Sequence, residues 1–217
     1  MEGWRAREAG PASGAPVPLR PAHAPGAPEP SAWQAFRADV QRYFRYARAT
    51  TPWARAGIVL RTEGIWATAV YRASCYVHRE APAPLRQCLR WPLAVVGGAA
   101  RLLLGIHLDP AARIGPGLYI GHSGGIWVAP GAVLGRECNL AQGVTLGVGG
   151  TLRRGTPRLG DRVWVGPKAT LSGPVQVGDG AVIGANSLVV SNVPERGVAV
   201  GVPARIVART GSSALIG

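Results

Sequence analysis

Few residues in this 217-residue chain are placed to do chemistry. Of four histidines, His122 lies in the stretch IGHSGG, two residues after Ile120 and flanked by Gly121 and Gly124, which leave its ring uncovered. An imidazole with an ordinary pKa near ~6.5 accepts a proton at neutral pH, so general-base work is open to it. The alternative is a ring that only decorates a surface. His107 and Asp109, within GIHLDP, are two residues apart and on a strand would point to the same side. Asp109 then either orients an imidazole or caps the turn before Pro110, as Asp-Pro often does.

Other chemistries are less well supplied. A zinc site needs three or four ligands, and the repeat region described below holds only His107 and His122, with His23 and His78 outside it, so no metal is expected. Cys75, Cys88 and Cys138 are odd in number and lack a CxxC spacing, which argues against a disulfide framework and for a reducing compartment, the cytoplasm by default. The formal charge is +13, a field that favours anionic partners. Only Lys168 among the 24 basic residues is lysine, so a general bias towards arginine explains the charge as well as a binding demand does.

Three elements must position these residues, followed by a short tail at 208–217. Residues 1–30 are mostly Pro, Ala and Gly with three Arg balanced by three Glu, a composition that predicts disorder. They contain no continuous apolar run of the kind a secretion signal needs. Over 31–105 the spacing is helical: Trp33, Phe36, Val40, Tyr43 and Phe44 recur every three or four residues after a capping Ser31. Pro52, Pro82, Pro84 and Pro92 divide this region into four expected helices. Its eleven Arg against Asp39, Glu63 and Glu80 leave a net +8. Trp91–Leu108 is interrupted by glycines and Arg101 and is shorter than the ~20 residues needed to cross a bilayer, so it reads as a packed helix.

From 106 to 207 a six-residue period can be counted. Aliphatic residues stand at Ile114, Ile120 and Ile126, then at Val128, Leu134, Leu140 and Leu146, and again at Leu159, Val165, Leu171, Val177, Ile183 and Val189. Glycine usually follows each, and the fourth position after the aliphatic residue is small or β-branched, as at Ala132, Cys138, Val144 and Ala169. This is a solenoid repeat, distinct from the two-residue alternation of a hairpin sheet and the 3.6 period of a helix. The aliphatic side chains face inward, and glycine is expected to permit the bend between faces. Cys138 occupies an inward place held elsewhere by Ala or Val, so it reads as a packing thiol before an acyl-carrying nucleophile. The long break between Leu146 and Leu159 holds GVGGTLRRGTP and predicts an exposed loop.

This repeat resembles that of the hexapeptide transferases. Three stretches, GIHLDPAARIGPGLYIGHSGG (105–125), AQGVTLG (141–147) and GVPARIV (201–207), make the chain similar to the serine O-acetyltransferases over roughly Ala35 to Val207. The resemblance implies an all-β left-handed parallel β-helix preceded by a small α-helical region, assembled as a trimer or a dimer of trimers. It also implies an acetyl-CoA-dependent transfer to a small hydroxyl compound, serine in cysteine biosynthesis, with no nucleic acid involved. His122 matches the family's catalytic histidine. The acidic residue that orients it falls on His107, with Asp109 the nearest carboxylate. The acetyl-CoA positions fall on Gly147, Pro167, Lys168, Ala185 and Arg205. The family's Arg and His that hold the amino acid fall on Gly155 and Thr156, leaving Arg153, Arg154 and Arg158 beside Thr156 to supply a guanidinium. An O-acetyltransferase for a sugar or polysaccharide hydroxyl, and a non-catalytic binder of anionic surfaces using the +8 helices, are the alternatives. Membrane-surface contact through those helices is not the expectation.

Overall fold

The computed structural model describes residues 30–150 and 154–216. The segment expected to be disordered lies outside these residues up to residue 29, and Arg153 also lies outside them. The helices among them are α1 (Ala32–Tyr46), α2 (Pro52–Arg61), α3 (Glu63–Cys75), continued by a π-helical turn (Tyr76–Glu80), and α4 (Ala83–Leu104). Ser31 starts α1 as a capping box: its Oγ accepts from Gln34 N at 3.2 Å and Gln34 Oε1 accepts from Ser31 N at 3.0 Å. Pro52 occupies the first turn of α2, where its missing N–H costs nothing.

Two expectations are corrected here. Pro92 does not end a helix but lies inside α4, and the break between α2 and α3 falls at Thr62 instead. The backbone bond lost at a proline is tolerable on a helix that water reaches, and α4 buries no residue. The apolar stretch from Trp91 does pack, with Leu93, Gly97 and Leu104 half-buried on the side that meets α3 and the core, while its other side stays exposed. Its helical part stops at Leu104, where Gly105 adopts φ +63, and the chain continues as a strand from Ile106.

The remainder is a parallel β-solenoid with three faces. The first face stacks β1 (Ile106–Leu108), β4 (Ile126–Val128), β7 (Thr145–Gly147), β10 (Thr170–Ser172) and β13 (Leu188–Val189). The second stacks β2 (Arg113–Ile114), β5 (Val133–Leu134), β8 (Arg158–Leu159) and β11 (Gln176–Val177). The third stacks β3 (Tyr119–Ile120), β6 (Asn139–Leu140), β9 (Trp164–Val165), β12 (Val182–Ile183) and β14 (Val198–Gly201), closed by antiparallel β15 (Ala204–Ala208). Register places the counted aliphatic residues in columns: Ile114, Leu134, Leu159 and Val177 on one face, and Ile120, Leu140, Val165 and Ile183 on another. These columns are the core, and all eight side chains are buried.

The glycine after each aliphatic has a different role from the expected bend. A Cβ on Gly115 would lie 2.6 Å from the Gly135 carbonyl, and one on Gly135 would lie 2.5 Å from that of Gly160, so these glycines let successive coils approach. Left-handed backbone falls elsewhere on the corners, at Gly117, Glu137 and Arg162 on one and at Gly143, Lys168 and Asn186 on another.

A stacked coil leaves the strand edge of its first turn unpaired, and such an edge must be covered. Here the helices cover it. Tyr43 Oη accepts from Ile120 N at 2.9 Å, and Tyr71 Oη accepts from Ile114 N at 3.2 Å and donates to Ala112 O at 2.9 Å. Asp39 accepts from Gly117 N and Leu118 N, while Arg72 donates to the carbonyls of Ile114 and Gly115. Arg42 donates to those of Gly117 and Cys138. Part of the helical positive charge is therefore spent inside the protein.

Candidate active site

His122 stands on the corner between β3 and β4. The corner is fixed by backbone bonds from Gly124 N to Leu104 O and from Ile126 N to Gly105 O, each 3.0 Å, so the end of α4 sets its height. Gly124 and Gly125 hold φ of +100 and +70, values a β-carbon would strain. The imidazole is exposed, and among the described residues it has no hydrogen-bond or ion-pair partner.

Above it the same corner repeats. Gly143 N donates to Gly124 O, Lys168 N to Gln142 O, and Asn186 N to Pro167 O, each at 2.8 Å. A Cβ on Gly143 would lie 2.9 Å from Lys168 Cγ, so the bare glycine leaves the lysine stem its place on the corner. Pro167, Lys168 and Ala185 thus form one column with His122, three coils or roughly 14 Å high at the spacing of stacked strands. Gly147 ends β7 on the adjoining face, and Arg205 lies on the β14–β15 hairpin, tied to the corner by Gly201 N donating to Ser187 Oγ at 3.1 Å. The positions expected to serve acetyl-CoA therefore run along this edge of the prism and the face beside it.

His107 on β1 and Asp109 just after it come together. His107 Nε2 is 3.8 Å from Asp109 Oδ2, while Asp109 Oδ1 accepts from Ala111 N at 2.8 Å, so the carboxylate both caps its turn and faces the imidazole. Neither is within hydrogen-bonding distance of His122. Burial, and after it the charge of Arg101, hold the His107 pKa below the ordinary histidine value against the opposing pull of Asp109. A neutral ring follows at neutral pH.

Sequence reasoning missed Trp127. Its ring lies 4.2 Å from that of His107, tilted by 37°, because β1 and β4 pair His107 with Trp127. The signal was the pair of inward residues Ile126 and Val128, which forces the residue between them outward on the face His107 shares.

The loop residues fall elsewhere. Thr156 Oγ1 donates to Gly131 O at 2.8 Å on the corner after the first face, and Gly149 N donates to Gly155 O at 3.0 Å. Arg158 is exposed on β8, in the second face, opposite the His122 corner, and Arg154 is exposed just before it. One chain does not bring Arg158 to His122. Cys138 is fully buried, its Sγ donates to Gly160 O at 3.3 Å, and burial pushes its pKa up to about 12. No three or more His, Cys, Asp or Glu side chains among the described residues cluster as a metal site would need.

Residues 156–191 match the family model described as bacterial transferase hexapeptide (six repeats). The serine acetyltransferase of Synechococcus elongatus is 32% identical over 113 residues, which are 52% of this chain and 46% of that protein. The chain thus spans about half the length of the curated relatives it matches. Among solved structures, serine acetyltransferase from Neisseria gonorrhoeae superposes with a TM-score of 0.69 at 31% identity, covering 82% of this chain and 67% of that one. Soybean serine acetyltransferase complexed with serine does so with a TM-score of 0.67 at 33% identity, covering 82% and 70%.

Proposed function

The chain belongs to the serine acetyltransferase family, and from that premise we propose that it moves the acetyl group of acetyl-CoA onto the hydroxyl of a small acceptor, serine first, with His122 as general base. The observation that carries this reading is the exposed His122 imidazole, without a partner among the described residues, at the foot of the corner column that ends in Ala185. Lys168 and Arg205 offer cations to the phosphates of the donor, while Gly147, Pro167 and Ala185 keep the groove shallow. His122 accepts the hydroxyl proton as the oxygen attacks the thioester carbonyl, and it returns that proton to the departing thiolate. His107 and Asp109 support the site from β1 and just after it. Neutral His107 stands where the family resemblance places the orienting acid, and Asp109 is its partner.

A second reading is favoured by Thr156, whose hydroxyl is already bound to Gly131 O. With no histidine there, the acceptor would be a sugar or polysaccharide hydroxyl. Because Arg158 and His122 face different sides of one prism, we propose a homotrimer in which a neighbouring copy brings a loop to each His122 corner, working without a metal in the cytoplasm. The deciding experiment incubates the full chain with acetyl-CoA and a thiol reagent against serine, homoserine and a panel of sugars. Serine- or sugar-dependent release of free CoA is expected, and no release with any acceptor would overturn the reading.

A further inference from the structure

α4 buries none of its side chains, and its Leu89, Trp91, Val95, Val96, Leu102 and Leu103 are exposed, the last two by 86% and 84%. At about 100° per residue these six fall within one arc of about 160° that holds no charge. The opposite side carries Arg86, Arg90 and Arg101, and Arg90 and Arg101 line a cavity of about 230 Å3 against α3 and β1. The helix contains no Asp or Glu.

We propose that α4 lies on an anionic phospholipid surface, with its apolar arc at the boundary of headgroups and acyl chains and its arginines on the polar side. An interfacial helix is recognised by such a pattern, Trp and Leu on one face and Arg on the other. At 22 residues it extends about 33 Å, and among the described residues no helix is long and apolar enough to cross a membrane. Charge selects the occupant. The region from 31 to 104 is +8 by sequence; Arg42 is buried and Arg45 pairs with Glu137, which still leaves the exposed surface positive, and of its three acids Asp39 is buried on Arg72 and Glu80 accepts from Ala32 N. α2 repeats the pattern with exposed Trp53 and Leu60, Arg55 and Arg61, and no acid. A second copy seated on α4 would set this positive region against another, whereas anionic headgroups attract it.

The test is sedimentation of the full chain with vesicles of equal parts phosphatidylglycerol and phosphatidylcholine, beside vesicles of phosphatidylcholine alone. Binding to the anionic vesicles is expected, weakened by salt, and reduced at least ~10-fold in Leu102→Glu/Leu103→Glu, since each substitution puts a charge into the apolar arc. Failure to bind anionic vesicles, indifference to lipid charge, or equal binding by the double variant would overturn the proposal. So would velocity sedimentation showing the variant as a smaller oligomer than the wild type, because the arc would then be a contact between copies.

Discussion

Arg72 and Asp39 form a bidentate pair sealed from solvent, Nε to Oδ2 at 2.9 Å and Nη2 to Oδ1 at 3.2 Å, and the same two side chains bind four backbone groups of the first coil. The pair is the joint between helices and solenoid. Asp39→Ala would leave the buried Arg72 guanidinium without its counter-charge and two buried N–H groups unpaired, and should cost about 3–5 kcal/mol of stability, measured by denaturant titration. Equal stability of Asp39→Ala and wild type would remove the pair from the joint.

This joint also marks where the sequence stopped being legible. The six-residue period exposes the solenoid because every inward position repeats the same constraint, so Ile120, Leu140, Val165 and Ile183 announce one column. Asp39, Arg42 and Arg72 repeat nothing. Their partners are carbonyls and N–H groups more than thirty residues away, which no local pattern encodes, and so they read as surface charge. The exposure of His122 was legible through its flanking glycines. Trp127 was not, because its importance depends on a register that pairs it with His107 across twenty positions.

His122→Ala should lower kcat by ~10²–10⁴. The side chain is exposed and has no partner among the described residues, so the thermal unfolding midpoint should not move. Steady-state rates and a melting curve on the same preparation check both halves. Near-normal turnover would take His122 out of the mechanism.

Transfer should be direct, within a ternary complex. Cys138 has the wrong environment for an acyl carrier: nucleophilic attack needs a thiolate, and its pKa near 12 in a fully buried site denies one. Cys138→Ala should leave kcat within about twofold and lower stability by about 1 kcal/mol. Double-reciprocal plots should intersect. Parallel lines, or acetylated enzyme trapped without acceptor, would contradict this.

His107 should make the fold acid-sensitive. Its folded pKa lies below the ordinary ~6.5, so as pH falls the unfolded chain takes up this proton before the folded one does. Its contribution is fully present above ~6.5 and is lost as the pH drops through the lowered folded value. His107→Asn should flatten that part of the melting-temperature profile and leave the profile above pH ~7 unchanged. An unaltered acid limb would show that other groups set it.

On the proposed function, the loop should decide the acceptor. Losing one charged or polar contact to an amino acid costs about 1–3 kcal/mol, or tenfold to more than a hundredfold in affinity, and the family resemblance places Thr156 where a histidine would hold the amino acid. Its hydroxyl donates to Gly131 O. Serine therefore binds weakly unless Arg153, Arg154 or Arg158 compensates, and for Arg158 compensation has to come from a neighbouring copy, because β8 faces away from the His122 corner. If it does, replacing the three arginines together with Ala should raise the KM for serine at least ~10-fold while that for acetyl-CoA stays put. If a sugar is the acceptor, the triple variant should leave residual serine turnover unchanged, and a sugar should outcompete serine in the wild type. A wild-type KM for serine within ordinary metabolite levels, indifferent to loss of the arginines, defeats both branches, and the amino-acid site then lies outside the loop.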